Sequence, residues 1–231
     1  MRRCECGDRV TEMETNGCVF PEELHYTADM NLWVRKLEKQ GSWRIGMTQA
    51  LLWTAGKPIR ILLKSTGTVV EEGKSIGSIE SGRFFDTMRV PFRCTVAGTN
   101  ELEGRRITPS SIYREHWLAT LSVEDDGDVL SSTITGSVAG KAAAEKVRAL
   151  RLRCFSELPD TEMVEIGTEC SAVLARLNQL MENREKGFTV HLVTDDVTSP
   201  IEMVRWSDET RNRLVETRKV DSIYHFLVVK E

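Results

Sequence analysis

The sequence predicts two domains, an all-β sandwich or barrel followed by an α+β two-layer sandwich of order β-α-β-α-β-β. Three observations lead there. A chain of 231 residues has room for two small domains. From Leu24 to Val123 it reads as short extended runs cut by glycine turns, whereas from Glu162 onward helical periodicity alternates with apolar runs. Between the two rhythms the composition shifts to small and charged residues. The expected boundaries are an arm at 1–19, a first domain at 20–125, a linker with a short helix at 126–160, and a second domain at 161–231.

The arm carries Cys4, Cys6 and Cys18 and shows little periodicity. In the first domain, Ile59, Ile61 and Leu63 alternate with Arg60, Leu62 and Lys64, while Gly67, Gly73, Gly77 and Gly82 punctuate the runs. Thr48 to Trp53 is the one segment suited to a helix here, with Thr48 as N-cap. Asp125-Asp126-Gly127-Asp128 and Ser131-Ser132-Thr133 read as linker, and Val138 to Leu152 as a short connecting helix. In the second domain, Met163–Ile166 is expected as a strand. Ser171–Glu185 places Val173, Leu174, Leu177, Leu180 and Met181 on one helical face. Phe188–Val193 is an apolar strand, and Pro200–Leu214 a helix with Ser199 as N-cap. Leu214–Val220 and Ser222–Val229 then pair across a turn near Asp221, which places the helices on one face of a small sheet.

Composition excludes several classes. A formal net charge of −4 and 6% aromatic residues supply neither a basic face nor a stacking surface for nucleic acid. No apolar run approaches the roughly 20 residues of a membrane span. The start, Met1-Arg2-Arg3-Cys4-Glu5-Cys6, lacks the apolar core of a signal peptide, so the expected location is the cytoplasm. In that compartment the cysteines, Cys4, Cys6, Cys18, Cys94, Cys154 and Cys170, are expected as thiols, metal ligands or reactive groups rather than structural disulfides. Cys4, Cys6 and Cys18 are weak candidates for a metal: structural zinc wants four ligands, and one residue between paired cysteines is too few. Cys154 reads as a packing residue. His25, His116, His191 and His225 show no ligand spacing, and no phosphate loop, nucleophile elbow or paired-carboxylate signature is present.

Motifs over 20–125 carry a resemblance. Phe20-Pro21-Glu22-Glu23-Leu24-His25-Tyr26-Thr27, Leu32-Trp33-Val34-Arg35, Ile45-Gly46-Met47-Thr48, Val70-Glu71-Glu72-Gly73-Lys74 and Ile79-Glu80-Ser81-Gly82-Arg83 before Val90-Pro91 follow in order and spacing. Together they resemble glycine-cleavage H proteins, and more narrowly their lipoate-binding-protein-like branch. The resemblance implies a barrel-sandwich hybrid whose hairpin presents a lysine after Glu-Ser-x, amidated with lipoate. Arg83 stands at that position, and Cys94 where a turn glycine is usual. A guanidinium is delocalised and always protonated, so it cannot take the lysine's part in amide formation. Lipoate is therefore not expected as a cofactor, and no other cofactor is implied. Arg83 reads either as a solvated hairpin-tip residue or as a planar fork for an anionic group.

Residues from about Glu162 to Lys230 resemble TusA-type sulfur carriers. The likeness rests on Gly167-Thr168-Glu169-Cys170 at a strand-to-helix turn, on Thr194-Asp195-Asp196, and on Tyr224-His225-Phe226-Leu227-Val228-Val229-Lys230. It implies that Cys170 bears sulfane sulfur, with Asp195 and Asp196 beside it. The sequence departs from the family at Ser171 and Val173, where prolines are usual, at Val197, and at Val164 and Ile166. Physically, a cysteine at a helix N-terminus meets unpaired N–H groups and the positive end of the dipole, which favours thiolate; Glu169 opposes this. The resulting expectation is a sulfur-trafficking carrier rather than an enzyme in its own right. Cys170 would bear sulfur, while the H-protein-like domain docks partners: sulfur donor and acceptor proteins or lipoate-handling enzymes, with no nucleic acid and no membrane. The alternative is a non-catalytic adaptor, a degenerate H-protein homologue.

Overall fold

The computed structural model describes residues 12–102 and 105–231, and Cys4 and Cys6 lie outside them. The chain divides into two units, with the boundary between Cys154 and Phe155.

The first described element is a hairpin, β1 (Glu12–Thr15) and β2 (Cys18–Pro21), paired with Thr15 opposite Cys18. Its turn is Asn16-Gly17, with φ of 48° and 76°. Both values are left-handed, as a two-residue turn matched to strand twist demands, and Asn-Gly is the dipeptide that adopts it most readily. Residues 12–19, expected as part of an aperiodic arm, are thus ordered by a turn signal that was present in the sequence.

β3 (His25–Tyr26), β4 (Leu32–Lys36) and β5 (Ser42–Met47) form a meander that ends in α1 (Gln49–Ala55). Thr48 caps α1 as expected, its hydroxyl oxygen accepting from the Leu51 N–H at 3.3 Å. β6 (Arg60–Leu63), β7 (Val69–Val70), β8 (Ser75–Glu80), β9 (Phe85–Arg89), β10 (Cys94–Thr99) and β11 (Ala119–Ser122) complete the β-rich part. They build one sheet of order β3-β4-β5-β11-β10-β7 and another of order β6-β8-β9. The barrel alternative is corrected here: the sheets stay open and share a core. Leu32, Val34, Trp43, Ile45 and Met47 from the larger sheet join Ile76, Ile79 and Met88 from the smaller. Strand alternation explains the partition, because successive side chains point to opposite faces.

The expected linker is corrected over most of its length. α2 (Asp126–Ser132) is capped by the Asp125 carboxylate, which accepts from the Gly127 N–H at 2.8 Å. α3 (Gly136–Ala149) follows, burying Ala139, Ala143 and Val147. Both helices belong to the first unit. Asp126 accepts from the Trp43 indole N–H at 2.7 Å and pairs with Lys36 at 2.8 Å, and Ile134 bridges to Tyr26. α2 packs through Val129, and α3 through Ala139, Ala143 and Val147, which recur at helical spacing among other small residues.

The cysteine expectation is corrected as well. Cys18 and Cys154 form a disulfide across 136 positions, so Cys18 is unavailable as a metal ligand and Cys154 is more than a packing residue. Cys94 and Cys170 are free and buried.

In the second unit the order is β12 (Thr161–Glu165), α4 (Cys170–Glu182), β13 (Thr189–Thr194), α5 (Ser199–Thr210), β14 (Arg213–Val220) and β15 (Ile223–Val229). The sheet runs β12-β13-β15-β14, with β12 and β13 parallel and the other pairs antiparallel. Val173, Leu177 and Met181 of α4 and Met203 and Trp206 of α5 meet Val190, Leu192, Phe226 and Val228 of the sheet. α5 stops at Thr210, four residues before the expected end, because Arg211 takes a left-handed φ of 60°. On the sheet's other face His191 pairs with Glu162 at 2.9 Å and meets His225 at 3.1 Å, and Phe155 lies over both imidazoles.

Candidate functional sites

The first candidate is the tip between β8 and β9. The chain reverses over Ser81-Gly82-Arg83-Phe84, closed by the Ser81 N–H donating to the Phe84 carbonyl at 2.8 Å. The Ser81 hydroxyl then donates to the Ala55 carbonyl at 2.7 Å, tying the tip to the last turn of α1. That carbonyl is one of the acceptors a helix leaves unpaired at its C-terminus. Arg83 is exposed, and its guanidinium lies beside Gly56, which caps α1. A methyl group added to Gly56 would sit 3.5 Å from Nη2 and 3.6 Å from Nε. A cation there faces the negative end of the helix, a favourable placement. Arg83 is therefore folded down against the domain rather than held out as an arm. Exposed Ile59 and Phe85 flank the tip, and both border Glu80: the Ile59 N–H donates to its carbonyl, and Phe85 is its cross-strand partner.

Amide attachment of lipoate needs an amine, and the side chains of Ser81, Gly82, Arg83 and Phe84 at the tip offer none. Lys74 lies in a different turn, Glu71 to Lys74, ahead of β8. Cys94, at the start of β10, is 3% exposed, and burial pushes its thiol up to about 11.

The second candidate surrounds Cys170, the first residue of α4. Asp195 and Asp196 come together with it. Asp195 accepts from the Gly167 N–H at 2.8 Å, and Asp196 accepts from the Cys170 N–H at 2.8 Å. Asp196 also accepts from the Thr198 N–H at 2.7 Å and the Thr198 hydroxyl at 2.6 Å. These bonds, those from Thr198 foremost, hold its carboxyl below the usual range. Asp196 thus stands in as the cap of α4, where the Glu169 side chain makes no cap hydrogen bond.

The electrostatic expectation is reversed. Burial first, then the negative charges of Asp196 and Glu202, push the Cys170 thiol up rather than down, against a smaller lowering by a Thr198 hydrogen bond. Cys170 is 6% exposed. Burial opposes thiolate here, and the Cys170 N–H at the helix start is engaged by the Asp196 carboxylate. Cys170 is therefore expected to alkylate slowly at neutral pH, its rate still climbing where an ordinary thiol has levelled off. Asp196→Asn keeps an acceptor for the cap and removes the charge, so it should speed the reaction. Site-resolved alkylation with iodoacetamide against pH measures this, and a Cys170 faster at pH 7 than a model thiol would overturn it.

The residues that sequence reasoning missed are the Cys18–Cys154 pair and the His191–His225 pair. Spacing carried no sign of either, since each joins distant segments. Among the described residues no cluster of three or more His, Cys, Asp or Glu side chains is placed to hold a metal, and no helix is long and apolar enough to cross a membrane.

Comparison with known proteins bears on the first unit. The family model described as glycine cleavage H-protein matches residues 24–145. Glycine cleavage system H protein 2 of Aquifex aeolicus is 28% identical over 146 residues, covering 62% of this chain and 90% of that protein. The glycine cleavage system H protein of Mycobacterium leprae is 32% identical over 118 residues, covering 50% and 88%. A crystal structure of a glycine cleavage system H protein from Mycobacterium marinum aligns with a TM-score of 0.42 at 20% identity, over 58% of this chain and 100% of that one.

Proposed function

The chain belongs to the glycine cleavage H-protein family, and from that premise we propose that its first unit is a docking module of the H-protein kind that carries no lipoyl arm. The observation that carries this reading is the β8–β9 tip, where Arg83 lies against Gly56 and no amine is offered. The unit exposes Ile59 and Phe85 beside the tip, and its partners would be enzymes that handle H proteins or lipoate. It acts by occupying them, not by carrying a group between them. The test is intact mass after incubation with lipoate ligase, ATP and excess lipoate. No lipoyl increment is expected, and an increment on any lysine of the unmutated protein would overturn the reading.

A second reading, sulfur carriage by Cys170, draws on the convergence of Asp195 and Asp196 at the start of α4. In it, the Cys170 thiolate attacks the outer sulfur of a donor persulfide, gains that sulfur, and releases the donor thiolate. The raised thiol and its burial work against this step. Incubation with a persulfide donor, read as a reducible one-sulfur mass gain at Cys170, decides it: gain supports carriage, and none leaves the docking reading alone.

A further inference from the structure

Two arginines lie side by side on the larger sheet of the first unit. Leu32 and Val34 of β4 and Trp43, Ile45 and Met47 of β5 face the core. Alternation therefore turns Trp33, Arg35, Arg44 and Gly46 to the opposite face. The β4–β5 register pairs Trp33 with Gly46 and Arg35 with Arg44. Like charges directly opposite one another on a sheet are destabilising. Glu23 offsets Arg35 at 3.4 Å. Among the described residues no carboxylate pairs with Arg44, whose guanidinium lies over the Trp117 ring, 4.7 Å from its centroid.

Two donors on this face also lack an acceptor. Trp33 Nε1 and Arg44 Nε are both buried and have no hydrogen-bond partner among the described residues. The Trp33 indole reaches across to β5: a Cβ added to Gly46 would sit 2.6 Å from Nε1 and 2.4 Å from Cε2. Gly46 thus admits the ring, and the ring carries its N–H onto the strand that holds Arg44. Tyr113 packs 6.2 Å from Trp33, centroid to centroid, but its hydroxyl is already engaged by the Gln49 N–H and the Val19 carbonyl. A water molecule would satisfy an indole N–H and leave the charge of the guanidinium uncompensated; an anion does both.

We propose that this face binds an oxyanion, a carboxylate or a phosphate group, with Arg44 as its principal cation. The planar guanidinium presents N–H donors in a fork that matches two oxygens of such a group. Trp117 holds the plane of the fork by stacking. Trp33 adds a neutral donor, and Arg35 a further positive charge from the neighbouring strand. Arg44 and Trp117 are half-buried, so an ion reaches the guanidinium from solvent. The site lies on the sheet that contains β4 and β5, whereas the tip that bears Arg83 joins β8 to β9 of the other sheet. Its test is therefore separate from that of the docking reading.

The test is a titration of the full chain, isotope-labelled at tryptophan, with sodium acetate in one arm and inorganic phosphate in the other. Sodium chloride holds the ionic strength constant, so that screening is the same throughout. The indole N–H resonances of Trp33 and Trp117, assigned with Trp33→Phe and Trp117→Phe, should move along a saturable curve. That of Trp206, in the second unit and bonded to Asn178, should stay in place. A response to acetate alone assigns the site to carboxylates, to phosphate alone to phosphate groups, and to both to oxyanions of either kind. Arg44→Met should weaken binding at least about tenfold. Arg44→Lys, which keeps the charge and loses the fork, should fall between Arg44→Met and the parent. No saturable shift of Trp33 or Trp117 in either arm would overturn the proposal, and so would affinity unchanged in Arg44→Met.

Discussion

Arg83→Lys should turn a protein that accepts no lipoate into one that accepts a single lipoyl group at position 83. The shape of the tip does not depend on the arginine. It is closed by the Ser81 N–H to the Phe84 carbonyl, and anchored by the Ser81 hydroxyl to the Ala55 carbonyl. The guanidinium only rests beside Gly56, and the position is exposed. A lysine there exchanges a planar fork for a flexible stem with a nucleophilic amine, at a cost to stability within about 0.5 kcal/mol. The readout is intact mass with ligase, ATP and lipoate, followed by peptide mapping. Ser81→Ala in the Arg83→Lys background should lower the yield, because the tip then loses its anchor to α1. Full failure of Arg83→Lys to take up lipoate, with the fold intact by circular dichroism, would show that features beyond residue 83 have also been lost.

Gly77→Ala should unfold the smaller sheet at a much lower temperature than Gly82→Ala at the tip. Gly77 lies in β8, opposite Leu63 of β6, beside a register shift toward β9. A Cβ built there would sit 2.1 Å from the Leu62 carbonyl oxygen and 2.9 Å from a Leu63 methyl. The first obstacle is backbone, so no rotamer change can relieve it, and β6 must move away from β8. Overpacking of this kind costs about 3 kcal/mol, which for a unit of this size lowers the melting temperature by roughly 6–12 °C. Gly82→Ala is the internal control. A methyl group there meets nothing within 4 Å, so its melting temperature should stay within about 2 °C of the parent. Coincident melting of the two variants would rule out the close approach at Gly77.

Much of the layout follows from local pattern. Alternation at Ile61 and Leu63 marked β6, Thr48 marked the start of α1, and Val173, Leu177 and Met181 marked the buried face of α4. These were legible because each depends on residues within a turn or two of one another. The β1–β2 hairpin was equally legible from Asn16-Gly17, although the residues around it carry little apolar alternation.

By itself, the sequence determined the β-rich first unit, the glycine-cleavage H-protein resemblance that the family match bears out, and the arginine at the tip. Tertiary structure alone decided three things. It paired Cys18 with Cys154, because two segments 136 positions apart meet only once α3 has packed on the hairpin. It assigned residues 126–149 to the first unit, because Trp43 and Tyr26 wait there for Asp126 and Ile134. And it set the sign of the field at Cys170. A helix start read in isolation favours thiolate, but the fold buries the thiol and, from 26 positions away, brings the Asp196 carboxylate onto the Cys170 N–H, and both oppose thiolate. Sequence order carries local conformation, whereas through-space charge and cross-chain bonding exist only after distant segments have been brought into contact.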